Sequence, residues 1–445
     1  MSVGLDVELF PRKRFGIFTP KISYAKIVPA LEKLQKEDFS IPDLAVEAGL
    51  KEPGKAFFSF EQTVNGISVD FGASEEVKLY FNTERNCIES SNSTTCFGPG
   101  YHWMLTNFFE RLAQEASLKP VFHDEIGFWE NRDKDFLKKE FVSWFKGLFT
   151  YVAENLPQPD WYLCWPLYSY KLQTMPENSC VTPAGLLNFS QVPKMLENIE
   201  HSADDFFLFL PNFCKDALHY RNNALNKLWC NFRFTTDDAD HILGETIAES
   251  LEFSAQLDPQ LPFPKRAYQE LCRILERTPV ELATVAEAPQ FEEVGFRKYP
   301  IYLDLPDNWR VHLPGDTPIA KGECHYKVAS SEIEMDFECG YYNISKPIPP
   351  DYDFSSLPVS CDDPKCGEEI RTCKFDNGNG IVYGYNDSAI PVVLYAELYA
   401  RNEEKNVLEV LIIFVKAVNL QKIQWAEEVI ANIEEFGANN EKANF

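Results

Sequence analysis

Apolar and polar positions alternate most cleanly in the final third of the chain. Residues 299–315 read YPIYLDLPDNWRVHLPG, with Ile301, Leu303 and Leu305 separated by Tyr302 and Asp304. A period of two predicts a half-buried strand. Pro306 removes a backbone donor and Asp307-Asn308 favour a turn, so the strand ends there and Trp309 packs back over the sheet. Further on, GECHYKVASSEIEMDFECGYY predicts a hairpin and NGNGIVYGYN a turn and strand. VVLYAELYA predicts a strand with Val392, Leu394, Ala396 and Leu398 on one side. VLEVLIIFV is apolar almost throughout, as a central strand covered on both faces would be. Helical spacing closes the chain, where Trp425, Val429, Ile433 and Phe436 share a stripe and Gly437 caps it. The stretch 345–372 reads as a long irregular loop.

Earlier in the chain both periods occur. A helix is expected over Tyr24–Lys36, with Pro29 tolerable only close to its first turn. AFFSFEQ, GISVDFG and VKLYFNT alternate, and Asn65-Gly66 between the first two is a hairpin signal, so the three form an antiparallel meander. Residues 102–116 have helical spacing. Asp133 caps a following helix in which Leu137, Phe141, Trp144, Leu148 and Val152 make one apolar face. DFFLFLPNF is an apolar run of strand length, and 181–185 is a turn. Thr236 or Asp237 caps a helix carrying Leu243, Ile247 and Leu251. DPQLPFP then interrupts, and Pro264 starts another helix with Tyr268, Leu271, Cys272 and Leu275 inside, giving an αα-hairpin. It resembles one tetratricopeptide-like unit, but no second copy follows at a fixed period.

At 445 residues the chain exceeds what one core supports. The proline- and glutamate-rich stretch 278–300 reads as a joint. The expected organisation is an α+β multidomain chain of antiparallel sheets with packed helices. Its parts are an α+β domain over 1–155, a mixed domain with the αα-hairpin over 156–290, and a third domain over 291–445.

Composition changes this picture in one respect. Hydrophobic residues make up 45% and charged residues 25%, which suits a folded globular chain. But 42 Lys and Arg stand against 68 Asp and Glu, a net charge of −26. From Phe296 onward there are 14 basic and 25 acidic residues, a balance of −11, which leaves −15 for the residues before it. An excess spread in this way repels phosphate backbones and argues against broad nucleic-acid binding. It serves solubility first, and it also suits a basic protein partner. The N-terminal residues lack an apolar run of secretory-signal length, and no stretch has about 18 uninterrupted apolar residues, so a cytoplasmic chain without membrane contact is expected. The twelve Cys are then expected to be free thiols.

Leu305, Pro306 and Trp309 form an LPxxW opening; Gly378, Gly380, Val382, Gly384 and Tyr385 a GxGxVxGY-like strand; two apolar strands and an amphipathic helix follow. Together these resemble the Mog1/PsbP-like α/β/α sandwich over about the last 145 residues. The resemblance implies that fold and a binding or assembly role, and it carries over no functional residue. The first 290 residues resemble uncharacterised bacterial proteins in general style.

Three groups of residues invite chemistry. His123, Asp124 and Glu125 combine an imidazole with paired carboxylates, the elements of acid–base catalysis, although acids before a helix also suit its dipole. His241 and Glu245 lie four apart on a helix, close enough to share a metal ion, but two ligands do not make a site. Cys361, Cys366 and Cys373 supply three thiolates for a metal, with a fourth ligand to come from Cys324, His325 or Cys339. No GxxxxGK[ST], GxSxG, HExxH or helix-opening GxGxxG occurs, and no cofactor is expected. Two function classes follow. One is a non-catalytic interaction protein, such as an immunity-type or antidefence binder of a basic protein. The other is an enzyme whose site is assembled from distant acidic and His residues.

Overall fold

The computed structural model describes residues 3–12, 20–36, 41–49, 58–63, 66–72, 76–155, 161–165, 170–232, 238–282, 295–296, 299–306, 309–315, 317, 326–329, 332–343, 366–375, 378–385, 392–402, 405 and 407–435. It has α+β architecture and divides into two compact units. The first comprises Met1–Pro166 and Met175–Phe296, the second Leu167–Thr174 and Arg297–Phe445.

Unit 1 begins with β1 (Gly4–Pro11), α1 (Tyr24–Lys36), the short α2 (Leu44–Glu47), β2 (Ser59–Gln62), β3 (Gly66–Asp70), β4 (Val77–Asn82), β5 (Cys87–Ser93), α3 (Pro99–Glu115) and β6 (Leu118–Asp124). The expected meander is β2 to β4, and it extends into a six-stranded sheet of order β2-β3-β4-β5-β1-β6 with antiparallel neighbours throughout. In β1, Leu5, Val7 and Leu9 point into the core with Ile27 and Leu31 of α1 and Leu105, Phe108 and Phe109 of α3. Asp6 and Glu8 alternate onto the opposite, solvated face. Pro29 lies inside α1 rather than in its first turn. It removes one backbone donor, while buried Ile27, Leu31 and Leu34 hold the helix to the core.

α4 (Phe128–Asn131) and α5 (Lys134–Glu154) follow. Asp133 caps α5 as expected, its Oδ1 accepting from the N–H of Asp135 at 3.0 Å and of Phe136 at 3.1 Å. The buried stripe of α5 is Leu137, Phe141, Phe145, Phe149 and Val152, with Trp144 and Leu148 at its margins. β7 (Tyr170–Leu172) belongs to unit 2, and β8 (Ser179–Thr182) and β9 (Gly185–Asn188) form a hairpin across the expected turn. Next come α6 (Val192–Glu197), α7 (Ile199–Phe206), α8 (Ala217–Cys230), α9 (Asp238–Leu257) and α10 (Lys265–Ile274). α9 and α10 make the expected αα-hairpin, and α8 packs along α9. Thr236 and Asp237 lie outside the described residues, as does most of 278–300.

DFFLFLPNF is not a strand. Asp205 and Phe206 end α7, and 207–210 is a buried irregular segment. Its backbone is satisfied by the N–H of Phe209 on the carbonyl of Phe97 at 3.0 Å, and by Asn222 Nδ2, which donates to the carbonyl of Phe207 at 2.7 Å. A run this apolar is buried in either geometry, and here the backbone of Cys96 and Phe97 and the side chain of Asn222 take the place of a neighbouring strand. The segment lies so close to α3 that a Cβ on Gly100 would stand 1.7 Å from the carbonyl oxygen of Leu210. Gly100→Ala is therefore expected to destabilise unit 1 by about 1–3 kcal/mol, because backbone must shift to admit it. Urea unfolding measures this, and an unchanged midpoint would show that the contact is not tight.

Unit 2 contains the stretch with the cleanest alternation. β10 (Ile301–Asp304) and β11 (Trp309–Leu313) are the two arms of a hairpin, with Ile301 opposite Leu313 and Leu303 opposite Val311. Trp309 is fully buried. A second sheet holds β12 (Tyr326–Ala329), β13 (Ile333–Asn343), β14 (Cys366–Phe375), β15 (Gly378–Tyr385), β16 (Val392–Asn402) and β17 (Val407–Ala417) in the order β12-β13-β17-β16-β15-β14. β12 and β13 are the expected hairpin, and β17 is central as its composition implies. α11 (Leu420–Ala431), capped by Asn419, packs on β16 and β17. β18 (Ile433–Glu435) then pairs with β11, completing a sheet of order β18-β11-β10-β7. Ile433 thus lies on a strand instead of the helical stripe, because α11 stops at Ala431. Phe436 and Gly437 lie outside the described residues. Residues 366–372, expected in the long loop, lie in β14, paired to β15. Among the described residues no helix is long and apolar enough to cross a membrane.

Candidate functional site

Strand alternation separates the first group of candidates. His123 lies on the solvated face of β6, its side chain 63% exposed and its Nε2 3.9 Å from Glu8 Oε2. Asp124 turns the other way and is fully enclosed, with Oδ1 3.2 Å from His102 Nε2 on α3. Its Oδ1 also accepts from the N–H of Ile126 at 3.0 Å and its Oδ2 from the N–H of Trp129 at 2.7 Å. Glu125 accepts from the N–H of Gly4 at 2.7 Å through Oε2. The three neighbours in sequence are three separate groups in space.

What gathers around Asp124 is a line of Thr94, His102 and Asp124. His102 Nδ1 lies 3.0 Å from Thr94 Oγ1, and the rings of Phe128 and Phe141 stand edge-on to the imidazole. A hydroxyl, an imidazole and a carboxylate in this order have the connectivity of a nucleophilic relay. Yet Thr94 and His102 are both at 0% exposure, and no substrate atom reaches them. Their role is to tie chain segments together. The N–H and Oγ1 of Thr94 both donate to the carbonyl of Val3, at 2.9 and 3.1 Å, fixing the entry to β1. Burial alone would raise the Asp124 carboxyl. The His102 imidazole and the two backbone N–H groups outweigh it and hold the group below the usual carboxylate range.

His241 and Glu245 both lie on α9, His241 exposed and Glu245 bonded to Arg277. The other fork of Arg277 grips Glu252 with bonds of 2.8 and 2.7 Å, and Tyr268 donates to Glu252 at 2.6 Å. Burial and this bond to Glu252 push the Tyr268 phenol upward. Glu245 therefore belongs to a network that closes the α9–α10 hairpin. No local signal links Arg277 to Glu245, because it follows α10 and lies 32 residues away in sequence.

Of the third group, Cys361 lies outside the described residues, and Cys366 begins β14 with its side chain also outside them. Cys373 is buried in β14, and burial raises its thiol. Cys324 and His325 likewise fall outside. Among the described residues no group of three or more His, Cys, Asp and Glu is placed to hold a metal ion. Among the described residues, the nine cysteines whose side chains are described are not joined in disulfides, and burial pushes Cys180 up to about 12.

Two buried polar clusters have no counterpart among the sequence candidates. In unit 1, the fully buried Arg221 of α8 bonds Asp205, Asn222 Oδ1 and the carbonyl of Pro262. In unit 2, Glu397 on β16 is 1% exposed and accepts from both Tyr395 and Tyr399, its neighbours on one face of the strand. Both are satisfied internally and serve packing. No protein-family model, no curated protein and no solved structure matches the chain.

Proposed function

We propose that the chain is a non-catalytic interaction protein that captures a basic protein partner, with the Mog1/PsbP-like reading of unit 2 as a binding module forming part of the same proposal. One observation carries it: 68 Asp and Glu stand against 42 Lys and Arg, and among the described residues several cations pair within the chain while exposed carboxylates remain. Lys33 pairs with Glu115, Lys138 with Asp204, Arg132 with Glu110, and Lys327 and Lys416 both with Glu334. Glu32, Glu61, Glu154 and Glu200 in unit 1 and Glu338 and Glu428 in unit 2 stand exposed and form no such pair among the described residues. The resulting negative field extends from both units and steers a cationic surface toward them. The placement of the candidate acids supports the same reading, since Asp124 and Glu245 are engaged in structural bonds.

The test is the association kinetics of a partner recovered from the native lysate by the full chain. On raising salt from 0.01 to 0.15 M, the association rate is expected to fall by about tenfold or more, as the Debye length shrinks from about 30 to about 8 Å. An association rate indifferent to salt, or recovery of a small metabolite alone, would overturn the reading.

A further inference from the structure

We propose that a cleft at one end of the unit 1 sheet binds a small molecule carrying a phosphate on a planar ring system. The cleft has a volume of about 770 Å³ and is lined by Phe10, Pro11, Arg12, Arg85, Asn86, Lys119 and Val121. That volume lies within the span of small-ligand sites. Register builds it: Phe10 of β1 sits opposite Lys119 of β6, and Val121 follows on the same face two residues on. Arg12 continues from β1, and its Nε donates to the carbonyl of Leu118 at 2.8 Å. Arg85 folds over from the turn between β4 and β5, its guanidinium 6.0 Å from the centre of the Phe10 ring. Asn86 walls one side, its amide oxygen accepting from the N–H of Ile22 at 2.8 Å.

The three cations are not equivalent. Arg85 is held by Glu8 at 2.6 Å and Glu89 at 2.7 Å, which fixes its position. Lys119 is exposed and, like the rest of the Arg12 guanidinium, makes no ion pair among the described residues. Two free cations and one held in place converge here on a chain of net charge −26. Unpaired arginine and lysine beside an apolar floor suit a compact anion: the guanidinium fork matches phosphate oxygens, and Lys119 adds a point charge. Phe10 offers a ring face for a planar group. The negative field of the whole chain opposes a long polyanion, so the cleft selects a small ligand over a nucleic acid.

Equilibrium dialysis of the full chain at low salt against AMP, with ribose 5-phosphate and adenosine as part-ligands, tests the proposal. AMP is expected to bind with a dissociation constant below about 1 mM, more tightly than either part. Lys119→Glu and Arg12→Glu together should weaken AMP at least about tenfold, because two attractions become repulsions. Phe10→Ala should weaken AMP and leave ribose 5-phosphate unchanged. Both charge reversals are on exposed side chains, and an unchanged melting temperature verifies that they fold. Lack of AMP retention, equal binding by the doubly reversed chain, or tighter binding of a single-stranded oligonucleotide than of AMP would each overturn the assignment. None of these results bears on capture of a basic partner, which uses the opposite charge.

Discussion

An Arg221→Ala chain is expected to lose about 3–5 kcal/mol of stability in unit 1, the range for removing one partner of a buried ion pair. The reason lies in what remains. Arg221 is fully buried, and its guanidinium bonds Asp205, Asn222 Oδ1 at 3.1 and 2.9 Å, and the carbonyl of Pro262 at 3.2 Å. Among the described residues, truncation leaves Asp205 with only His201, 3.6 Å away and itself exposed, and frees the carbonyl of Pro262 that ties the start of α10 to α8. Asn222 would stay bonded to the carbonyls of Asp204 and Phe207, so the 207–210 segment loosens only in part. Urea unfolding at neutral pH, followed by far-UV circular dichroism, reads the loss. A double variant, Arg221→Met with Asp205→Leu, should recover part of it, because apolar replacement removes the unpaired charge as well. If Arg221→Ala costs less than about 1 kcal/mol, the buried network is not a stabilising element of the unit.

The same residues show what alternation can and cannot reveal. β3, β10, β16 and β17 follow from period-two or apolar runs, and the α9–α10 hairpin from helical spacing with a proline break. These are local signals, and local signals are legible. α8 is different, because it buries Arg221, Asn222 and Asn226 where a period-based reading looks for apolar residues. Its polar groups are satisfied by segments far away in sequence, as when Asn226 Nδ2 donates to the carbonyl of Pro183 at 2.8 Å. β1 alternates well, but nothing in its pattern says that it inserts between β5 and β6. That insertion decides the fate of the candidate site, because it sets which face of β6 is solvated and so places His123 outside and Asp124 within. His102, the residue Asp124 meets, carries no motif. Its one signal is its place at the start of the helical spacing over 102–116, and a histidine buried there takes a hydrogen-bond partner, as Thr94 provides.

Lowering the pH from 7.5 to 5.0 is expected to reduce the stability of unit 1 by about 2 kcal/mol through one residue, His219. Its side chain is buried on α8, packed edge-on against Phe209 and Tyr220, and its Nδ1 accepts from the N–H of Leu210 at 3.1 Å. Burial, with Lys215 and Lys227 nearby, pushes its pKa down to about 3. The facing acid, Asp216, uses Oδ1 to accept the backbone N–H of His219 rather than its ring, so the ring gains no counter-ion from it. The sign follows from the unfolded chain, where a histidine titrates near 6.5. Above that value both states are neutral at this position, and the full stability is present. Below it the unfolded state takes up a proton that the folded state refuses, and stability falls by about 1.4 kcal/mol per pH unit until the folded pKa is passed. A His219→Asn chain keeps an acceptor for Leu210 and has no ring to titrate. It should be less stable at pH 7.5, through lost packing, yet show a shallower decline toward pH 5.0 than the parent. Urea midpoints for both chains at several pH values give the difference between the two slopes. Parallel slopes would show that His219 takes up a proton in the folded state, and the buried neutral imidazole would be ruled out.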